Sequence, residues 1–376
     1  MVNAGSSSLK LRVLDGTGAA GDKVTGRADL PAVGGGDGDT DAKEIAAAIE
    51  SFGRVDAVGH RIVHGGTRYA APVLVTKEVR RRLESLTDLA PLHQPKSLAA
   101  LDAVTAVLPG VPAVACFDTA FHATIPDAAA TFALPAEWRT RWTLRRYGFH
   151  GLSHAYVSRR AAELVAHPTP AAPAGLRVVT CHLGAGASLA AVVDGRCVDT
   201  TMGFTPLDGL VMATRSGAID PGLVLWLEEH ERLRPREIAD ALEHRSGLLG
   251  LAGSADMRVV ERQAAAGDAR ARLALAVYLH RLVTSIGAMA AAAGGVDALA
   301  FTGGVGERAP AIRAAVAERL DHLGIAIDEE LNASAGSDLD VSSRSARART
   351  LVITAREDLQ IARETRRVLW PAAGPR

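Results

Sequence analysis

Two stretches decide how this chain folds. The first is Ala4-Gly5-Ser6-Ser7-Ser8-Leu9, followed by an apolar run and then Asp15-Gly16; the second is Ala185-Gly186-Ala187-Ser188-Leu189, followed by Ala190–Val193 and then Asp194-Gly195. Each reads as a Gly/Ser turn, a strand and a tight Asp-Gly turn, because Asp-Gly tolerates the positive φ that a hairpin needs. Two copies about half a chain apart predict a duplicated βα domain with a cleft between the halves. Small-residue turns before strands are common, so chance similarity is the competing explanation.

Outward from these stretches, short Val/Leu-rich runs alternate with longer helical patterns, which defines an α/β class. The expected strands are Leu11–Leu14, Ala57–Gly59, Ala113–Cys116, Val178–His182, Ala190–Val193, Ala298–Phe301 and Leu351–Ile353. The expected helices are Asp41–Ser51, Lys77–Leu89, Pro95–Val107, Ser153–Ala166, Arg234–Glu243 and Ala269–Ala293. His167–Gly175, rich in Pro and Ala, and Gly34–Thr40, rich in Gly and Asp, read as loops. At 376 residues, two domains are the default expectation.

Composition excludes several classes. Hydrophobic residues at 48% and charged residues at 22% are a globular balance, not a disordered or fibrous one. Lys+Arg and Asp+Glu both number 42, so no basic surplus favours nucleic acid. Cys116, Cys181 and Cys197 have no CxxC spacing and read as buried thiols of a reducing compartment. The opening Met1–Gly5 has neither a basic nor an apolar leader segment, and the apolar stretch Leu273–Phe301 contains His280 and Arg281 and ends through Gly294-Gly295. A buried helix followed by a strand fits that stretch better than a membrane span, so no membrane association and a cytoplasmic location are expected.

Three small-residue loops bear on chemistry: Asn3–Ser8, Gly184–Ser188 and Thr302-Gly303-Gly304-Val305-Gly306-Glu307. Without side chains in the way, backbone N–H groups in such turns converge on an anion. The third follows an apolar strand and precedes a helical pattern from about Pro310, a place where phosphate binds. None matches G-x-x-x-x-G-K-[ST], so the chain is no Walker P-loop protein. Taken singly, each is as well explained as an ordinary tight turn.

Clusters of His and Arg beside Gly or Pro are harder to explain by packing. They are His60-Arg61-Ile62-Val63-His64-Gly65-Gly66, Pro91-Leu92-His93-Gln94-Pro95, Phe117-Asp118-Thr119-Ala120-Phe121-His122, Arg145–His154 and Thr214-Arg215-Ser216-Gly217. Five clusters in a charge-balanced protein point to one anionic substrate site. Phosphoryl transfer fits, since its transition state needs cations and hydrogen-bond donors in position, and arginine grips carboxylate or phosphate through two parallel bonds. A bound Mg²⁺ would need oxygen ligands, for which Asp118 and the Glu357-Asp358 pair are the best-placed acids.

Taken together, Asn-Ala-Gly-Ser-Ser-Ser-Leu-Lys, His-Arg-x-Val-His-Gly-Gly, Ala-Pro-Leu-His, Phe-Asp-Thr-Ala-Phe-His, Arg-Arg-Tyr-Gly-Phe-His-Gly, Met-Gly-Phe-Thr-Pro-Leu-Asp-Gly-Leu and a late Gly-x-Gly-Glu resemble the acetate kinase family, within the sugar-kinase, Hsp70 and actin superfamily. The motifs run in family order over nearly the whole chain. The resemblance implies a duplicated actin-like (ribonuclease H-like) two-domain α/β fold with an interdomain cleft. Domain I would span 1–121 plus 358–376, and domain II, the nucleotide-binding side, 122–357.

The resemblance also implies an activity: reversible in-line phosphoryl transfer between ATP and acetate, giving acetyl phosphate and ADP, with Mg²⁺ or Mn²⁺, by a homodimer. Asn3 and Glu357 would coordinate or orient the metal; Arg61 and Arg215 would grip the carboxylate and the moving phosphoryl group. His150 would hydrogen-bond the transition state with support from His93, and Asp118 would be the essential acid, positioning acyl substrate or metal. Val63, Leu92, Phe149 and Pro206 would line the pocket for the acyl methyl, favouring acetate or propionate over bulkier acids. Lys10, His182, Gly184, Gly186, Asp256, Arg258, Gly304, Val305 and Gly306 would face the nucleotide.

Four positions depart from the family pattern. Ala185 stands where the family usually has Asn, which removes a donor worth roughly 1.5–3 kcal/mol toward a charged oxygen. Arg308 replaces an Asn and either pairs with a nucleotide phosphate or faces solvent. Thr354-Ala355-Arg356-Glu357-Asp358-Leu359 replaces Thr-Asn-Glu-Glu-Leu, so Glu357 is assigned by register. Only Met1-Val2 precede Asn3, so a short or clipped first strand is expected. Two alternatives stay open: a kinase for propionate, butyrate or another short acid, and a weakened nucleotide-binding paralogue with a regulatory role.

Overall fold

The computed structural model describes residues 1–5, 8–16, 23–31, 38–91, 93–166, 175–336 and 338–371. The chain divides into two compact units, Met1–Ala123 with Gly151–Tyr156 and Arg356–Arg376, and Thr124–His150 with Val157–Ala355.

Unit 1 is built on β1 (Val2–Ala4), β2 (Ser8–Asp15), β3 (Lys23–Pro31), β4 (Val58–Ile62), β5 (Val73–Leu74) and β6 (Ala113–Phe117), in the order β3-β2-β1-β4-β6-β5. Strands β1, β2 and β3 pair antiparallel, β1–β4 and β4–β6 parallel, and β5–β6 antiparallel. Unit 2 is built on β7 (Arg177–Leu183), β8 (Ala187–Val193), β9 (Arg196–Thr200), β10 (Ala298–Thr302), β11 (Leu339–Asp340) and β12 (Arg349–Val352). Read from the other edge, its order is β9-β8-β7-β10-β12-β11, the unit 1 order with each number raised by six. The pairing directions also agree strand for strand. The duplication expected from the two small-residue turns is therefore present in strand order and pairing direction: each turn joins the first two antiparallel strands of its sheet.

The two Asp-Gly pairs behave differently. Asp194 (φ 49°) and Gly195 (φ 74°) form the two-residue turn between β8 and β9, with both residues in the left-handed region such a hairpin requires. In the first copy Asp15 pairs with Lys23 rather than opening a two-residue hairpin, and residues 17–22 lie outside the described residues.

Strand β6 shows why these sheets are buried on both faces. Val114 and Cys116 pack with Leu152 and Ile361, under helix Glu357–Leu369, while Ala115 and Phe117 pack with Ile62, Leu83, Leu98 and Leu101 on the opposite side. Successive side chains alternate between faces, so a parallel strand covered twice reads as one apolar run. A second cluster, Val2, Leu9, Leu11, Ile45, Ile49, Val58, Ala100 and Val104, seats helices Gly38–Phe52 and Gln94–Val107. A cavity of ≈ 600 Å³ between β2 and the start of β4 is lined by Met1, Leu11, Phe52 and Trp370 among others, and holds none of the expected site residues.

Helix boundaries follow local chemistry. The segment expected as one helix over Lys77–Leu89 is a helix, Lys77–Glu84, capped by Thr76 Oγ1 accepting from Val79 N, then a single 3-10 turn, Thr87–Leu89. Residues 38–40, expected in a loop, already belong to helix Gly38–Phe52; 34–37 and most of the loop 167–175 lie outside the described residues. Helix Ala269–Ala292 is long and apolar enough by composition to cross a membrane, with a mean hydropathy of 1.5. Its Ala271, Ala274, Tyr278, Leu282, Ile286 and Met289 form a buried stripe at helical spacing, and the chain then enters the sheet as β10. None of the three cysteines is in a disulfide; all are buried, and burial pushes their thiols up.

Candidate active site

Within unit 1 the parallel strands deliver polar side chains to one end of the sheet. Along β4, Ile62 points into the core above helix Gln94–Val107, so Gly59 and Arg61 take the other face. Gly59 confirms the direction: a Cβ there would meet Thr365 Oγ1 at 2.3 Å, on helix Glu357–Leu369. Asp118 follows β6 directly, its N–H donating to Ile62 O at 3.1 Å. Arg61 donates from Nη2 and Nε to Asp118 Oδ2 at 2.6 and 3.0 Å, and from Nη1 to Asn3 Oδ1 at 3.1 Å. Asn3 Nδ2 in turn donates to Glu357 Oε2 at 2.8 Å.

Asn3, Arg61, Asp118 and Glu357 thus form one hydrogen-bonded network. Burial pushes the Asp118 carboxyl up and the nearby Glu357 charge adds to it, against the pull of Arg61. The guanidinium of Arg61 is held in its charged form by Asp118 and Glu357 despite its own burial. Lys10 is directly opposite Asn3 on β2, so both side chains stand on the same face.

Three residues singled out less sharply by sequence complete this end of the sheet. Gln94 is buried; it accepts from His64 N through Oε1 and donates from Nε2 to His64 O and Leu83 O, each at 3.2 Å. Thr119 Oγ1 accepts from Gly65 N at 3.0 Å, and His64 Nδ1 accepts from Gly66 N at 2.8 Å. These bonds fix the loop that carries Val63, which is buried. His93 stands at the start of helix Gln94–Val107 and is half-buried. Leu92 lies outside the described residues. Gln94 stands in the Pro91–Pro95 cluster, but its partners are backbone groups, which the sequence does not mark.

Unit 2 gathers a second set. His150 has φ of 56°, precedes helix Gly151–Val165, and its ring stacks on His182 with centroids 4.4 Å apart. His150 Nδ1 is 2.9 Å from Ser188 Oγ. Gly186 sits between His150 and Arg215: a Cβ there would meet His150 Nε2 at 3.3 Å and Arg215 Nη1 at 3.4 Å. Arg215 Nη1 donates to Pro206 O at 3.1 Å, and its Nε is 3.6 Å from Glu243 Oε2. Burial lowers the Arg215 pKa, and Glu243 offsets part of that. Phe149 is buried beside His150, and Pro206 is half-buried.

Two of the expected nucleotide loops are neighbours in this unit. Thr302 pairs with His182 across β10 and β7, and a Cβ on Gly303 would meet Leu183 O at 2.8 Å. The Gly184–Gly186 turn closes by Gly184 N donating to Gly186 O at 2.9 Å. Helix Gly303–Arg308 begins inside the glycine loop, earlier than the Pro310 expected from sequence, and a second helix, Pro310–Arg319, follows. Gly304 is exposed, Val305 half-buried and Gly306 buried; Arg308 and Ala185 are exposed. Asp256 caps helix Met257–Ala265 and is engaged by Arg258, Nη2 to Oδ2 at 2.6 Å, which holds its carboxyl at about 2. Among the described residues no hydrogen bond or ion pair joins Asp256 or Arg258 to the glycine loops.

A duplicated mixed sheet whose loops present arginines, a carboxylate pair and small-residue turns defines a phosphotransferase-type actin-like fold. The Acetokinase family model matches residues 40–363, and the chain belongs to that family. It is 48% identical over 322 residues to the acetate kinase of Dictyoglomus thermophilum, covering 85% of this chain and 80% of the relative. Two crystal structures match with a TM-score of 0.85 over 98% of both chains: the acetate kinase of Porphyromonas gingivalis at 36% identity and a propionate kinase of Francisella tularensis at 35%.

Proposed function

We propose that the chain is an acetate kinase, moving a phosphoryl group reversibly between ATP and acetate by direct in-line transfer. The observation that carries this reading is the family match across residues 40–363. The arrangement of charged groups is what such a reaction requires. Phosphoryl transfer needs little covalent help from the protein; it needs positive charge and donors fixed before the reaction starts.

Arg61 is pre-aimed by Asp118 and Asn3, and Arg215 by Pro206 O and Glu243, so neither has to be ordered at the moment of transfer. We assign Arg61 and Arg215 to the carboxylate and the phosphoryl oxygens. His150 donates to the transition state from Nε2 while Ser188 engages its Nδ1. Val63, Phe149 and Pro206 take the acyl methyl, with Leu92. His93 supports the site, and Lys10, His182, Gly184, Gly186, Asp256, Arg258, Gly304, Val305 and Gly306 serve the nucleotide.

The residues present fit Mg²⁺ or Mn²⁺. Asp118 Oδ1 is buried and among the described residues has no partner of normal hydrogen-bond geometry, and Glu357 offers a second carboxylate nearby. Among the described residues no group of three or more His, Cys, Asp or Glu gathers, which suits an ion held by one or two carboxylates plus phosphate and water. Asn3 spends Oδ1 on Arg61 and Nδ2 on Glu357, which makes it the orienting residue of the pair. When bound, the ion would neutralise phosphate charge.

A cytoplasmic homodimer is part of the proposal. Ile219, Leu223, Leu225, Trp226 and Leu233, exposed on and around helix Pro221–Glu229, offer an apolar face for a second copy. Sedimentation tests it: a monomer at micromolar concentration would refute the dimer. The second reading, propionate as preferred acid, is favoured by the equal structural match to a propionate kinase. Hydroxylamine trapping with Mg-ATP and acetate tests the main proposal. Acetyl hydroxamate above background supports it; nucleotide binding without any trapped product supports a regulatory paralogue instead.

A further inference from the structure

The loop after β10 is held by two side chains: Glu307, which ends the Gly-x-Gly-Glu motif without an assigned role there, and Arg313, which lies outside every motif. Glu307 Oε1 accepts from Gly303 N at 3.0 Å and from Ala355 N at 2.9 Å. One carboxylate oxygen therefore ties the first residue of the glycine loop to the segment two residues before Glu357. Arg313 approaches from helix Pro310–Arg319 and is 1% exposed. Its Nη1 donates to Gly306 O at 2.8 Å and Glu307 O at 2.9 Å. Its Nε and Nη2 donate to Asn332 Oδ1 and Asn332 O, each at 2.7 Å, and Asn332 Nδ2 donates to Pro310 O at 3.0 Å.

Burying a guanidinium is costly, and none of these partners is a carboxylate that would offset the charge. Burial accordingly lowers the Arg313 pKa. An apolar side chain of similar length would fill the space at lower cost if filling were all that mattered. What the arginine adds is geometry: a planar fork whose donors fix several carbonyls at once. The bonds converge on Gly303, Gly306 and Glu307, leaving Gly304 exposed with nothing within 4 Å of its side-chain position.

We propose that Glu307 and Arg313 are positioning residues for the nucleotide, holding Gly303–Gly306 in the shape that receives it while touching no substrate themselves. The proposal rests on Gly304–Gly306 being the nucleotide loop.

The test compares Glu307→Met, Glu307→Gln, Arg313→Met and Arg313→Lys with the parent enzyme by kcat, both KM values and calorimetric Kd for ADP. Loss of the Glu307 acceptor should raise the KM for ATP and the Kd for ADP about tenfold or more, on the scale of a bond to a charged group. The KM for acetate should stay within about twofold, since uniform damage would move both. Glutamine keeps Oε1 and should restore nucleotide binding to within about threefold. Arg313→Lys, which cannot span the same acceptors, should fall between parent and Arg313→Met. Should the methionine variants fail to fold, Arg313→Lys decides alone: a selective rise in KM for ATP supports the brace, and no rise overturns it. Equal rises in both KM values also overturn it. A parent enzyme that binds no adenine nucleotide would instead overturn the reading of the loop beneath, and the proposal with it.

Discussion

Arg61 and Asp118 meet side-on, with Nη2 and Nε of the guanidinium both directed at one carboxylate oxygen, Oδ2, at 2.6 and 3.0 Å. Among the described residues no group reaches the other oxygen with normal hydrogen-bond geometry. Asp118→Asn keeps the shape and removes the charge that holds Arg61. Turnover of acetate with Mg-ATP should fall about 10³-fold, the scale of losing a key electrostatic group in phosphoryl transfer. A steady-state assay within about tenfold of the parent would contradict that role.

The same carboxylate depends on a glycine. Gly151 N donates to Asp118 O at 2.9 Å, and a Cβ at Gly151 would meet that oxygen at 2.1 Å and Phe121 Cβ at 2.9 Å. Backbone cannot yield as a flexible side chain does, so Gly151→Ala must shift Asp118. We expect a loss of stability of about 1–3 kcal/mol by urea unfolding, with a drop in kcat larger than any change in nucleotide affinity. An alanine variant with parental kcat would show that Asp118 tolerates displacement.

Much of this was legible in the residues. Strands such as Ala113–Phe117 and Ala298–Thr302 announce themselves because both faces are covered, which forces an unbroken apolar run. Strand β3 does not: Lys23–Pro31 alternates exposed and half-buried at the sheet edge, so no apolar signal survives. Strand β5 has two residues, too few for any period. Arg61 and Asp118 stood in clusters of charge and Asn3 in a small-residue loop, and the structure joins them. Gln94 and Glu307 stood inside motifs and Arg313 in none, but all three act through backbone carbonyls and amides, contacts with no sequence signature that only the fold reveals.

His60 gives the fold a pH dependence. Its ring is buried and both nitrogens have no partner among the described residues; burial, aided by the N-terminal charge, lowers its pKa to about 3. The unfolded chain binds this proton near its ordinary value of about 6.5, so the folded state is favoured above that pH. Stability is lost as pH falls from about 6.5 toward 3, by roughly 1.4 kcal/mol per unit. His60→Leu should flatten this part of the acid limb in urea midpoints taken between about pH 7 and 5. An unchanged slope would assign the acid sensitivity elsewhere.

Ala185 lies exposed at the tip of the β7–β8 turn, where its methyl can donate to nothing. Ala185→Asn restores a donor at that position. The KM for ATP should fall by about tenfold, with little change for acetate, if the turn faces a phosphate. Equal KM values would place the turn away from the nucleotide.

The claim that a short acyl group is the acceptor is tested most directly by kcat/KM with Mg-ATP across straight-chain acids from two to five carbons. The account predicts a maximum at acetate, with propionate next and a steep fall at butyrate. A maximum at four or five carbons, or no acyl phosphate from any of them, would contradict it.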